Sequence, residues 1–415
     1  MNRVAAIGSI TLTLASALTL TACGGSGGAG VAANAKQTLT VWAMGTEGEK
    51  LGDVAKEYEK THSNIDVKVT PVGWDVAHQK LVAAAAAGKL PDVVQMGSSY
   101  LGEFADMGVL EPVDTKTFHQ GDFFPAAWQQ GSYDGKTYSV PWYVDTRVLY
   151  YRTDLAKKAG IKAAPTTMAE LQQDAEAYQS KAHTKWGMDL KPSGLDTVQS
   201  FYPFLYSDGG GILNAQGKPV IDSPQAVKAL DYYGSFFKKG LIAKSEQPGY
   251  DVTKDFNTGN VPMFLGGPWM TGLIADNYPG LKGKWAVAPL PAGDKGSVSM
   301  AGGSSLAVSA DSTHKAAASK FIQYLTGAKG QADWFKRTAD LPANRAAWDS
   351  GTLATDAEMK IWRKQMETAR TEPSAAKLTE ITSKVDAAIG AVTQGSADAK
   401  TALTQAQNQI AGLTK

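Results

Sequence analysis

From Thr38 onward the hydrophobic period of this chain switches between two and about 3.6 residues, and that alternation restricts the fold more than any other feature. Leu39 to Ala43 reads as a buried strand, and Glu49 to Lys60 places Leu51, Val54, Ala55 and Tyr58 on one helical face. Ile65 to Val72 alternates as a strand, Val76 to Ala87 is an alanine-rich helix ended by Gly88, and Pro91 to Met96 is a third strand. Strands joined through helices need crossovers of one hand, so a parallel sheet in an α/β lobe is expected.

The pattern restarts downstream. Tyr138 to Tyr151 is a long extended run, and Thr167 with Glu170 forms a capping box ahead of Leu171, Ala175 and Tyr178. Ser223 and Pro224 take the cap and first-turn positions of a helix carrying Val227, Leu230, Phe236 and Phe237, closed by Gly240. Val261 to Leu265 and Lys284 to Ala288 read as buried strands, and Thr355 to Ala369, Lys377 to Thr393 and Ala397 to Ala411 as helices. Strands that recur after one lobe is complete argue for two α/β lobes.

Ahead of this body lie Arg3, an apolar run from Val4 to Leu18, and Leu20-Thr21-Ala22-Cys23, which contains the chain's single cysteine. These are the parts of a lipoprotein signal, so residues 1–22 are expected to be removed and Cys23 acylated. A permanent membrane span is the alternative, but no Lys or Arg cluster follows to stop transfer. Residues 23–37 are mostly Gly, Ala, Ser and Asn and read as a flexible tether; the formal glycine fingerprint Gly25 to Gly30 has no strand before it and no helix after it. The expected location is the extracytoplasmic face of the cell membrane, reached through a lipid anchor. A mature chain with one cysteine forms no internal disulfide, so core burial must stabilise it.

With 41 basic and 40 acidic residues, the chain carries no electrostatic footprint for nucleic acid or anionic lipid. The nucleophile elbow, the zinc helix, the phosphate loop and the calcium loop are all missing. The five histidines, His62, His78, His119, His183 and His314, are far apart in sequence and read as surface residues. No catalysis, cofactor or metal is expected.

What stands out is aromatic and carboxylate residues where strands end. Trp42 lies in the first strand, with Gly45-Thr46-Glu47-Gly48 as the following loop; Trp74-Asp75 follows the second and Gly97-Ser98-Ser99-Tyr100 the third. Trp142-Tyr143-Val144-Asp145 sits in the extended run, and Gly266-Gly267-Pro268-Trp269 follows a later strand. Carboxyl ends of strands face the ligand crevice of an open α/β sheet. Indole faces beside carboxylates suit a neutral polyhydroxylated ligand, because the apolar face of a sugar packs on the ring while Asp and Glu accept from its hydroxyls. A phosphate would want converging cations, and only Arg147 is near. Trp42 is equally a core residue, Glu47 equally a helix N-terminal carboxylate, and Asp208 a turn residue. Two other readings remain: a polyamine or other cation held by Glu47, Asp75 and Asp145, and a surface glycosidase using two carboxylates.

Four strings in order resemble the extracellular solute-binding proteins of ABC importers, in the carbohydrate-binding group that includes maltose-binding protein. They are PDVVQMGSSYLGEFADMGVLEPV (Pro91 to Val113), YSVPWYVDTRVLYYRTDLAKKAGI (Tyr138 to Ile161), FNTGNVPMFLGGPWM (Phe256 to Met270) and AGGSSLAVSAD (Ala301 to Asp311). The resemblance implies a two-lobed periplasmic-binding-protein-like fold of type II, with a hinge of crossing strands and the ligand cleft between the lobes. It implies crossings near Tyr143 to Arg147, Pro289 to Gly293 and Arg345 to Ser350, giving lobes of 38–144 plus 292–346 and of 145–291 plus 347–415. By position it assigns ligand contact to Asp145, Trp269, Ser98, Ser99 and Tyr100, with Glu47, Gln199, Gly303 and Ser304 in cleft-lining segments; Trp74, Asp75 and Tyr143 join them from the strand-end argument. Maltose-binding protein has an aromatic residue and an Asp-Arg pair where this chain has Met96 and Ser99-Tyr100, so its hydroxyl contacts are not preserved. The implied ligand is a di- or oligosaccharide, the implied partners are permease subunits in the membrane, and a monomer is expected.

Overall fold

The structure is a computed structural model, and it describes residues 36–194, 196–247 and 249–414. The signal segment, Cys23 and the expected tether up to residue 35 lie outside the described residues.

Gln37–Met44 pairs in parallel with Ile65–Val72 on one side and with Val93–Gly97 on the other. Its side chains alternate between two layers, as a strand buried on both faces must. Leu39, Val41 and Ala43 enter the core with Leu51, Val54, Ala55 and Tyr58 of helix Gly45–Glu59. Trp42 and Met44 face the other way, toward Leu81 and Ala85 of helix Trp74–Ala86 and toward Phe104. Trp42 is thus a core-side ring.

The sheet becomes mixed where distant segments join it. Met300–Val308 lies antiparallel to Val93–Gly97, and Ser139–Thr146 antiparallel to Met300–Val308, with Leu341–Pro342 at the edge and Arg370–Thr371 beside Met300–Ala301. Helical crossovers hold the three opening strands parallel to one another, and Arg370–Thr371 also runs parallel to Met300–Ala301, while the other added pairings are antiparallel.

The extended run Tyr138 to Tyr151 is two strands rather than one. Ser139–Thr146 belongs to the large sheet, and Val148–Arg152 is the centre of a three-stranded antiparallel sheet between Met263–Gly266 and Trp285–Ala288. The break falls at Arg147, whose N–H donates to Ser299 Oγ (3.0 Å) while its carbonyl accepts from the same hydroxyl (2.9 Å). One buried serine therefore satisfies the backbone where the ladder stops.

The helices of the second part form as their caps dictate. Thr167 accepts from the Glu170 N–H and Glu170 accepts from the Thr167 N–H at the start of Met168–Ala182; Ser223 caps Pro224–Lys238. Their apolar faces share a core with Ile381, Val385 and Ile389 of Leu378–Thr393 and with Leu403 and Ile410 of Ala399–Ala411. Helix Ala357–Glu367 touches both sheets and buries Trp362 completely. The result is a two-lobed α/β fold of type II whose halves are joined by crossing strands. No helix among the described residues is long and apolar enough to cross a membrane.

Candidate functional site

The loops at the carboxyl ends of the three parallel strands open onto one cavity of about 580 Å³, inside the range of small-molecule sites. Glu47, Trp74, Ser98, Ser99, Tyr100, Tyr143, Asp145, Gln199, Trp269 and Gly303 line it together, although they span more than half of the chain.

Gly45-Thr46-Glu47-Gly48, expected as a loop, is the first turn of helix Gly45–Glu59. Gly45 has φ +52, which turns the strand directly into the helix, and a Cβ on Gly48 would stand 2.4 Å from the Ala43 carbonyl oxygen. Glu47 is consequently both a first-turn carboxylate and a cavity wall. Trp74 begins the next helix and leans over Gly45, where a Cβ would meet its ring at 2.7 Å.

Two expected residues are placed elsewhere. Asp75 is exposed and does not line the cavity. Successive helical residues are rotated by about 100°, so Trp74 and Asp75 cannot face the same side. Ser304 is buried beneath the wall: it donates to the Met96 carbonyl (3.0 Å) and accepts from Gln95 Nε2 (3.0 Å).

Gln95 is the support that sequence reasoning missed. Fully buried, it also donates to the Tyr143 hydroxyl (3.4 Å) and accepts from the Met44 N–H (2.7 Å), tying together three strands under the cavity. A buried amide with its groups satisfied rigidifies what it touches. Burial, then the charge of Glu47, pushes the Tyr143 hydroxyl well above its ordinary value, so it stays a proton donor.

Arg147 is more than a neighbour. Its guanidinium donates to Asp145 Oδ1 (2.7 Å) and lies 4.8 Å from the centre of the Trp269 ring. The segment bearing Trp269 is held from below: the Tyr150 hydroxyl donates to the Gly267 carbonyl (2.9 Å) and contacts Thr271 Oγ1 (3.0 Å), which donates to Glu358 Oε1 (2.5 Å). Trp269 starts helix Trp269–Asn277 and remains 45% exposed; Trp74 remains 40% exposed.

Asp340 and Glu372 also line the cavity, and sequence reasoning missed both. Neither sits at the end of a strand that periodicity reveals, so nothing local distinguishes them. Asp340 accepts from Trp334 Nε1 (2.9 Å), and burial, with Glu47 adding to it, pushes its carboxyl up to about 7. Burial, then Asp196 and Asp145, raises Glu372 to about 7. Four carboxyl groups thus line the cavity with one guanidinium, which Asp145 already engages. No histidine lines the cavity among the described residues; His78 packs behind Tyr100 (ring centres 5.0 Å apart) and contacts Glu103 (2.6 Å), and His314 contacts Asp92 (3.2 Å).

Asp340 makes stability depend on pH. Its folded pKa lies above the unfolded value of about 3.9, so the contribution is present below pH ~4 and is lost as pH rises through 7. Asp340→Asn keeps an acceptor for Trp334 and removes the titration. At pH 8 the variant should be more stable than the parent by about 2 kcal/mol after solvent screening of a half-buried group, and equal to it at pH 4. Urea unfolding at the two pH values measures this, and an equal difference at both would refute it.

Residues 43–332 match the sequence family described as bacterial extracellular solute-binding protein. The chain is 26% identical over 411 residues to the maltodextrin-binding protein MdxE of Bacillus subtilis, covering 95% of this chain and 94% of that one. It is 26% identical over 347 residues to the diacetylchitobiose binding protein DasA of Streptomyces coelicolor, covering 79% and 80%. The structure superimposes on the sugar-binding protein MalE of Xanthomonas citri with a TM-score of 0.85 and 30% identity, over 91% of this chain and 97% of that one. These relatives are binding proteins, and the cleft described above lies between two lobes as in a binding protein. The chain belongs to the family of bacterial extracellular solute-binding proteins, which work outside the cytoplasmic membrane.

Proposed function

We propose that this protein captures a neutral di- or oligosaccharide between its lobes and delivers it to the permease of an ABC importer, while anchored to the membrane through acylated Cys23. The observation that carries the ligand class is the pair Trp74 and Trp269, two large exposed rings that line the same cavity as hydroxyl and carboxyl groups. Indoles left facing water beside hydrogen-bond acceptors suit the apolar face and hydroxyl rim of a sugar. The names of the relatives, which bind maltodextrin and diacetylchitobiose, support the same class. A cation is the competing ligand, favoured by the four carboxyl groups; it is weakened because Asp145 is already paired with Arg147 and Asp75 lies outside the cavity.

We assign the lobe crossings to Arg147, to the stretch between Ala292 and Met300, and to Arg370–Pro373. The third is moved from Arg345 to Ser350 because Arg370–Thr371 still pairs with the large sheet, after which the chain enters helices of the second core. Capture would shift the population toward a closed form in which both lobes contact the sugar.

The test is thermal unfolding of residues 36–415 with maltotriose, N,N′-diacetylchitobiose, galactobiose and other saccharides, with spermidine as the cationic control. A saccharide should raise the midpoint with the logarithm of its concentration. Trp269→Ala should then weaken its binding by about 5- to 150-fold, the equivalent of ~1 to 3 kcal/mol. Stabilisation by spermidine alone, diminishing with salt, would replace the sugar reading with the cationic one.

A further inference from the structure

Glu372 stands in an unusual position for a carboxylate. It follows the short strand Arg370–Thr371 and is only 7% exposed. It borders the ligand cleft and also a second cavity of about 630 Å³, whose lining includes Gln129, Ser132, Tyr133, Tyr206 and Asn214. No group among the described residues donates a hydrogen bond to its carboxylate. Its oxygens are not sealed from solvent but open onto the cavities, where a group that enters can supply the donor.

Its surroundings do not supply one. Asp145 and Asp196 repel a negative charge there, and Arg147, the cation that opposes them, is bonded to Asp145. Tyr202 and Tyr206 of helix Thr197–Ser207 lie close enough to feel the Glu372 charge; the Tyr202 hydroxyl has no partner among the described residues, and the Tyr206 hydroxyl donates to the Thr371 carbonyl (3.1 Å). Arg370, on the same segment, is turned away: its guanidinium lies 4.4 Å from the Tyr206 ring centre and donates to the Gly210 carbonyl (3.0 Å). Glu47 and Asp340 belong to the same cavity wall and add negative charge to it.

We infer that Glu372 is a ligand-binding carboxylate at the junction of the two cavities, and that its ionised form captures the ligand by accepting hydrogen bonds from adjacent hydroxyl groups of a saccharide. This rests on the saccharide reading proposed above. Two neighbouring hydroxyls match the two oxygens of one carboxylate, and such charge-assisted bonds are the strong ones. Because they favour the ionised form, binding lowers the proton affinity of Glu372 and expels its proton where the free protein holds one.

The experiment is calorimetric titration with whichever of maltotriose, N,N′-diacetylchitobiose and galactobiose stabilises the protein, at pH 5.5 and pH 8. The parent should bind about tenfold or more tightly at pH 8 and release protons near pH 7, read as a difference in heat between phosphate and Tris buffers. Glu372→Gln, which keeps the shape and removes a buried charge, should bind about tenfold more weakly than the parent at pH 8, match it within about twofold at pH 5.5, and release correspondingly fewer protons. Asp340→Asn, run in parallel, should leave the Glu372 share of the proton release in place. If Glu372→Gln binds the same saccharide with the parent's affinity and pH profile, the role of Glu372 is overturned and the saccharide reading stands. If the parent binds no saccharide at either pH, the saccharide reading fails and takes this role with it.

Discussion

Gly303→Ala should destabilise the protein by more than about 3 kcal/mol and abolish saccharide capture. Gly303 has φ +116, a conformation that side chains rarely adopt, and a Cβ placed there would stand 2.3 Å from the Tyr143 carbonyl oxygen and 2.7 Å from Val144 Cα. Both are backbone atoms of the paired strand and cannot move aside without breaking the ladder. That ladder carries Tyr143 and Asp145 on one strand and already shifts register between Ser304 and Ser305 on the other. The cleft walls would therefore lose their geometry along with the stability. Gly302→Ala is the informative control. Its Cβ would meet the Asp145 carboxylate at 2.6 Å, a side chain that can swing away, so binding should suffer more than stability. Urea unfolding together with calorimetry reads both. A Gly303→Ala protein within about 1 kcal/mol of the parent would show that the close approach of these strands is not needed.

Trp362→Ala should cost about 3 to 5 kcal/mol, the range for deleting a large aromatic side chain from a core. Trp362 is fully buried in a cluster that contains Val140 and Val144 of the large sheet and Tyr150, Phe264 and Val287 of the small one. Its ring lies 6.3 Å from that of Tyr150, and its Nε1 donates to the Glu358 oxygen that also accepts from Thr271 (3.2 and 2.5 Å). The loss should therefore reach beyond the cavity left behind. With Glu358 and Tyr150 freed, the Gly267 to Thr271 segment should loosen, and binding that depends on Trp269 should weaken as well. A lower urea midpoint is the first readout, and iodide quenching of intrinsic fluorescence, with the contribution of the exposed Trp269 obtained by difference from Trp269→Phe, is the second. Unchanged stability would mean that the helix Ala357–Glu367 does not hold the two sheets together.

The alternating periods from Leu39 to Met96 were enough to place three strands and two helices, because a strand buried on both faces and a helix with one apolar stripe leave distinct spacings. The capping box at Thr167 and the Ser223-Pro224 start were equally legible, since a cap is a local hydrogen bond between residues three apart. Sequence position at strand ends brought together Glu47, Trp74, Ser98, Ser99, Tyr100 and Trp269, which line one cavity. It failed for Asp75, because one helical step turns a side chain away; Ser304, which the family resemblance placed in a cleft-lining segment, lies beneath the wall because one strand step sends it there.

Other features depended on segments far apart in the chain. The break at Arg147 exists because Ser299 satisfies its backbone, the wall is stiff because Gln95 joins Met44, Tyr143 and Ser304, and the mixed sheet exists because Met300–Val308 returns between Val93–Gly97 and Ser139–Thr146. Asp340 and Glu372 became part of the cavity by the same route. Local spacing therefore determined which residues form strands, helices and caps, since those depend on neighbours within a turn or a pleat. The tertiary structure alone decided that Asp340 and Glu372 join Glu47 and Asp145 in the cleft, because burial and the company of other charges are properties of the assembled fold.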